Sequence, residues 1–188
     1  GRRGSVNLDR LVFVTSNDGK RREAEAVLGF ALDHRGLDLV EPQSLDVHDV
    51  VRSKAAAAYE LIDAPVLVED TALELLGLGG FPGPLIRWLL ASVGPDGISR
   101  MAAAFGDPRA VVRCVTCATD GIETVVGEGV VFGTIAREPR GAGGFGWDSV
   151  FIPDDGDGRT YGEMENEEKN AISHRYKAFV ALRDALGR

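Results

Sequence analysis

Several things are scarce in this chain of 188 residues. It has two cysteines, two methionines, three histidines and few aromatics, at 7%. No second cysteine pair exists to complete a four-thiolate zinc site. Cys114-Val115-Thr116-Cys117 spells the Cys-x-x-Cys spacing, but it lies in a β-rich run where residues three apart face opposite sides of a sheet. The two thiols are therefore expected to diverge as independent strand residues. No apolar run approaches the roughly 20 residues needed to span a bilayer, and no signal-peptide pattern opens the chain, so a membrane role is excluded and a cytoplasmic location is expected. Positive charge is also short: the formal net charge is −8. A protein that grips nucleic acid through its phosphates needs a basic face whose counterions are displaced, so the charge argues against a nucleic-acid partner and none is expected. Any phosphate this chain binds must be met locally.

What is present is an ordinary globular composition, 44% hydrophobic and 27% charged, long enough to bury a sizeable core. Residues 1–7 read as a flexible N-terminal arm and 8–188 as one domain. Leu11-Val12-Phe13-Val14 predicts a buried strand that empties into Thr15-Ser16-Asn17-Asp18-Gly19-Lys20 and then a helix stopped by Gly29. A strand around Leu37 to Glu41 and an alanine-rich helix from about Asp46 to Ile62 follow, the helix carrying Lys54. Pro65 to Val68 predicts a further buried strand that delivers Glu69-Asp70-Thr71 at its end. After a Gly- and Pro-punctuated loop come helices near Leu85–Val93 and Ile98–Phe105. Val111–Ala118 and Glu123–Phe132 then flank an Asp120-Gly121 hairpin signal. Trp147 to Ile152 reads as another strand, and a last helix starts at Ser173, an N-cap residue type. Alternating elements followed by paired strands predict an α/β fold with a mixed sheet.

Two motif matches fail on context. Gly141-Ala142-Gly143-Gly144-Phe145-Gly146 satisfies G-x-G-x-x-G, but the dinucleotide fingerprint needs a strand before and a helix after it; a glycine loop that places Phe145 and Trp147 is the better reading. Gly19-Lys20 resembles the end of a P-loop, yet Val14 and Arg21 stand where Gly and Ser or Thr are required. The cruder physics survives, because a strand-loop-helix junction offers free N–H groups and Lys20 to an anion. Glu69 and Asp70 are adjacent acids whose repulsion a hard divalent cation would relieve.

Six segments carry a family resemblance: Thr15-Ser16-Asn17-Asp18-Gly19-Lys20, Leu67-Val68-Glu69-Asp70-Thr71, Leu78-Gly79-Gly80-Phe81-Pro82-Gly83, Phe145-Gly146-Trp147-Asp148, Thr160-Tyr161-Gly162-Glu163-Met164 and Glu168-Lys169-Asn170-Ala171-Ile172-Ser173-His174-Arg175. In this order they resemble the inosine triphosphate pyrophosphatase family, which hydrolyses non-standard purine nucleoside triphosphates to monophosphate and pyrophosphate. The resemblance implies a long mixed sheet flanked by helices, two lobes with a nucleotide cleft between them, a homodimer, and Mg²⁺ (Mn²⁺ as the alternative) on Glu41 and Asp70. It places Thr15, Ser16, Asn17, Lys20, Lys54, Thr71 and Lys169 at the triphosphate, with Arg87 at a basic position of some members. Phe145, Gly146, Trp147, Asp148, His174 and Arg175 fall at the base pocket, and Asp70 and Glu69 at the chemistry. The chain departs from the common pattern at Ala72, Leu85 and Gly162, none of which removes a charged group. Rival expectations are a hydrolase of pyrimidine or modified nucleotides and a non-catalytic nucleotide-binding protein.

Overall fold

The computed structural model describes residues 11–187, so the arm expected over residues 1–7 lies outside the described residues. Strand β1 (Val12–Val14) leads into helix α1 (Asp18–Leu28). The Asn17 side chain starts that helix by accepting the Lys20 N–H at 3.2 Å, and Gly29 ends it in the left-handed region at φ 81°. Then come β2 (Asp33–Arg35), α2 (Val47–Ile62), β3 (Val66–Leu75), β4 (Pro82–Gly83), α3 (Ile86–Ala104), β5 (Arg109–Thr119), β6 (Thr124–Ile135), β7 (Phe151–Pro153), α4 (Asn166–Ile172) and α5 (His174–Ala185). The seven strands form one sheet in the order β2-β1-β3-β5-β6-β7, with β4 beside β3. The β1–β2 and β1–β3 pairs are parallel and the rest antiparallel, which makes the sheet mixed, as the sequence predicts. No helix among the described residues is long and apolar enough to cross a membrane.

Three expectations are corrected. The second strand is Asp33–Arg35, fully exposed, and not Leu37–Glu41; residues 36–46 run without regular structure to the Asp46 cap of α2. Strand β3 does not stop at Val68. It pairs with β5 from Val66 through Leu75, because the partner satisfies its backbone across the acidic residues, and Glu69 and Asp70 therefore sit in mid-strand. Trp147–Ile152 is not a strand: Gly146 at φ 64° turns the chain into a short 3₁₀ turn over Asp148–Val150 before β7 begins. The two helices expected between Leu85 and Phe105 form α3, broken at Gly94 (φ 67°) ahead of Pro95.

The pleat of β3 organises the interior. Even-numbered Val66, Val68 and Ala72 pack with Val47, Val51, Ala55 and Ala58 of α2. Odd-numbered Leu67 packs with Ala24 and Leu28 of α1 and Phe179 and Leu182 of α5. Further along that same odd face, Leu73 and Leu75 join Ile86, Ile98, Trp147, Phe151 and Tyr161 in a separate cluster. Glu69 and Thr71 fall at the seam between these two clusters.

Helix α5 reaches the seam because β6 gives it room. Gly127 and Gly129 lie on the α5 side, and a Cβ at Gly129 would strike the His174 carbonyl and the Ala178 nitrogen; one at Gly127 would strike the Ala178 carbonyl and the Leu182 nitrogen. Gly129→Ala is expected to push the first turn of α5 off the sheet, costing about 1–3 kcal/mol of stability and raising KM through His174 and Arg175. Urea unfolding followed by steady-state kinetics checks both.

Candidate active site

The first group of side chains centres on Glu69. Its Oε2 accepts the Arg175 Nε–H at 2.9 Å, and the Lys20 ammonium stands 2.7 Å from Oε1. The Cys114 thiol also donates to Oε2, at 3.5 Å. Burial would raise the Glu69 pKa, but Arg175 and Lys20 outweigh it and hold the carboxylate well below the usual range. Arg175 is buried, and its guanidinium reaches Glu23 of α1 at 3.5 Å and lies 5.8 Å from the Phe145 ring centre. Cys117 faces the α2 cluster instead, so the two cysteines diverge as expected from strand alternation.

The second group lies across the sheet. Asp70 is one residue from Glu69, and the pleat turns it to the α2 side. There the Lys54 ammonium sits 3.5 Å from Asp70 Oδ1 and 3.2 Å from Glu41 Oε1, and it donates to the Glu69 carbonyl at 3.0 Å. The expectation that the adjacent acids converge on one cation is thereby corrected: each has its own. Burial is the largest influence on Asp70 and, with the Glu41 and Glu69 charges, overrides Lys54 and raises its pKa to about 6. Burial opposes the Lys54 charge as well, yet Asp70 and Glu41 hold its pKa above the ordinary lysine value.

This second group suits a hard cation. Asp70 Oδ2 is buried without a hydrogen-bond partner, and Asp70 and Glu41 already converge on one positive charge. Among the described residues no three His, Cys, Asp or Glu side chains gather as a metal cluster. Two protein carboxylates completed by substrate oxygens and water match the habit of Mg²⁺.

The third group is built by the glycine loop. Asp148, 4% exposed, accepts the Lys169 ammonium at 2.6 Å and the Phe145 N–H at 2.9 Å through one oxygen. Gly144, at φ 70°, presses so closely on that carboxylate that a Cβ would collide with it. The Lys169 ammonium lies 5.0 Å from the centre of the Phe145 ring and 5.6 Å from that of Tyr161. His174 stacks on Tyr161 with an interplanar angle of 22° and lies 5.4 Å from Trp147. Burial, then the neighbouring Arg175 and Lys169 charges, depress the His174 pKa well below its usual value, so the ring is neutral and its Nδ1 is without a partner.

The structure thus separates residues that the sequence groups together. Lys169, which the resemblance puts at the triphosphate, stands with Asp148. Of the two aromatics expected in the base pocket, Phe145 is 55% exposed between Gly144 and Gly146 while Trp147 is 8% exposed inside the core. Gly146 supplies the turn between them. Thr15 accepts the Asn17 N–H at 3.0 Å, which shapes the loop before α1; Ser16 is exposed beside it. The Thr71 hydroxyl is buried and unpartnered on the Glu69 side. Arg87 is exposed on α3, its guanidinium over the Trp88 ring at 5.4 Å. Sequence reasoning missed Glu23, Cys114 and the Gly127/Gly129 pair; only the last had a legible signal, two glycines spaced to share one strand face.

An α/β protein with cations and carboxylates gathered along one central strand, beside a cluster of aromatic rings, has the charged groups suited to a phosphorylated small molecule. The Ham1 family model matches residues 11–185, and the chain belongs to that family. It is 50% identical over 185 residues to inosine triphosphate pyrophosphatase 2 of Trypanosoma cruzi, covering 96% of this chain and 93% of that protein. To inosine triphosphate pyrophosphatase of Schizosaccharomyces pombe it is 43% identical, covering 95% and 96%. The fold is similar to that of a HAM1 protein from Coxiella burnetii, with a TM-score of 0.83 and 26% identity over 95% of this chain and 98% of that one. It is also similar to a nucleoside-triphosphatase, dITP/XTP pyrophosphatase, from Mycobacterium abscessus, with a TM-score of 0.73 and 28% identity over 92% and 98%.

Proposed function

We propose that this protein is a nucleoside triphosphate pyrophosphatase that hydrolyses ITP, dITP and XTP to the monophosphate and pyrophosphate. The observation that carries the reading is that one strand presents Glu69 with Lys20 and Arg175 on one side and Asp70 with Lys54 and Glu41 on the other. The Asp148–Lys169 pair and Phe145 stand beside Arg175, and relatives aligned over 96% and 95% of the chain carry the matching name. On this reading residues 8–188 form one domain of two lobes, and the floor of the nucleotide cleft is the edge of β3 between its last pair with β1 at Leu67 and its first with β4 at Leu73, where Glu69 and Asp70 can be approached from both faces. The family resemblance further supports a cytoplasmic homodimer.

Lys20 and Lys54 meet the triphosphate, since a unit charge pair at 4 Å is worth about 4 kcal/mol at an effective dielectric near 20. Free N–H groups at the start of α1 add donors, shaped by Thr15, Ser16 and Asn17. Asp70 and Glu41 would hold Mg²⁺, or Mn²⁺, which supplies Lewis-acid polarisation and charge neutralisation when bound. Asp70 orients the attacking water and takes its proton as the new oxygen bond forms at the α-phosphorus and the bond from that phosphorus to the β-phosphate oxygen breaks, releasing pyrophosphate. Glu69 is unsuited to that task, because it is buried against the Arg175 guanidinium, which holds its carboxyl well below the usual range. Phe145 stacks on the base, and donors from Arg175 meet the 6-oxo group of hypoxanthine or xanthine. Adenine offers a donor there and leaves buried groups unpaired, so ATP is rejected.

A panel of ITP, XTP, GTP and ATP with Mg²⁺, scored for monophosphate and pyrophosphate, tests the reading. ITP and XTP are expected to turn over with pyrophosphate release. ATP turned over as fast as ITP would defeat the base readout, and release of orthophosphate and diphosphate would defeat the reaction class.

A further inference from the structure

Lys20 and Arg175 belong to opposite ends of the proposed substrate site, and a single carboxylate holds both. Lys20 rises from the first turns of α1 toward the phosphates, whereas Arg175 opens α5 beside Phe145. The two oxygens of Glu69 divide between them, at 2.7 and 2.9 Å. The two ties are unequal. The Arg175 side chain is 7% exposed and is also held by Glu23 at 3.5 Å, while the Lys20 side chain is 28% exposed. Lys20 is therefore the partner free to leave.

We infer that Glu69 is a positioning residue that weakens binding of polyphosphate alone and makes tight binding depend on the base; this rests on the proposed function and deepens it. A polyphosphate must draw Lys20 away from Glu69 and must also approach a fixed negative charge. Both oppose binding. Once Lys20 has moved, the buried carboxylate has Arg175 as its remaining cation, and it clamps the guanidinium in one orientation. That orientation lets Arg175 donate to a 6-oxo purine. A base that accepts from Arg175 thus favours the same arrangement that releases Lys20, and the coupling is reciprocal. Adenine makes no such contact and gains nothing from it. Cys114 supports the clamp as a neutral thiol donor on the Arg175-bound oxygen.

Two measurements decide it. In the wild-type protein, titration calorimetry of inorganic tripolyphosphate is run alone, with saturating inosine and with saturating adenosine. Inosine is expected to tighten tripolyphosphate binding at least threefold, and adenosine to leave it unchanged; equal affinities in all three titrations would overturn the inference. In Glu69→Gln, tripolyphosphate alone is expected to bind at least fivefold more tightly, and the ratio of kcat/KM for ITP over ATP to fall at least tenfold. A merely structural role would lower both substrates together and tighten nothing, and that outcome also overturns it. The wild-type titrations need no folded variant and no turnover. Loss of the functional reading would instead show as wild-type protein that releases no pyrophosphate from any purine triphosphate.

Discussion

Asp70→Asn is expected to lower turnover of ITP by about 10²–10⁴-fold, the usual worth of a positioned general base, while nucleotide binding stays measurable. The same variant is expected to be more stable than the wild type at neutral pH. Folding raises the Asp70 pKa from 3.8 to about 6, so between those values the folded state holds a proton that the unfolded state has released. The wild type therefore loses stability as pH rises from about 4 through 6, and above that the penalty is complete, on the order of 1–3 kcal/mol. Asparagine cannot ionise and removes it. Thermal melts of both proteins at pH 4.5 and 7.5, without divalent ions, are expected to differ little at the lower pH and clearly at the higher. A variant that is inactive and equally destabilised at both would assign Asp70 to the fold instead of the chemistry.

Lys169→Met is expected to have the largest effect on stability of any single change at the site. Lys169 and Asp148 are 10% and 6% exposed at their side chains and 2.6 Å apart. Removing the ammonium strands a buried carboxylate whose remaining partner is the Phe145 N–H. Breaking a buried pair in this way costs about 3–5 kcal/mol, a fall of roughly 10 °C in Tm for a chain of this size. The double variant Asp148→Asn/Lys169→Met leaves no stranded charge and is expected to recover more than half of that loss. Because the Asp148 carboxylate also fixes the glycine loop, KM for ITP should rise in the single variant. Differential scanning calorimetry of the four proteins of the cycle measures the coupling directly.

Much of this architecture was legible before any coordinates. The Ser173 cap, the Gly29 stop, the alanine-rich helix over Val47–Ile62 and the hairpin at Asp120-Gly121 are local decisions, made by side chains that satisfy or free nearby backbone groups. The divergence of Cys114 and Cys117 is equally local, since strand periodicity alone dictates it. The ordered segments from Thr15 to Arg175 were enough to group the candidate residues by family.

What the chain could not announce was how its charges pair. Ion pairs join residues from β3, α1, α2, α4, α5 and the loops between them, and no sequence spacing encodes which cation meets which acid. Pairing of β3 with β5 through Leu75 turned a supposed strand end into mid-strand, and the pleat then sent Glu69 and Asp70 to opposite faces. Gly127 and Gly129 let α5 settle on β6, and that approach brought Arg175 to Glu69. Local sequence determined the helices and the β5–β6 hairpin, because caps, periodicity and turn residues act within a few positions. Only tertiary packing decided the partnerships of the buried charges, because burial makes each carboxylate take whatever cation the sheet and helices bring within reach.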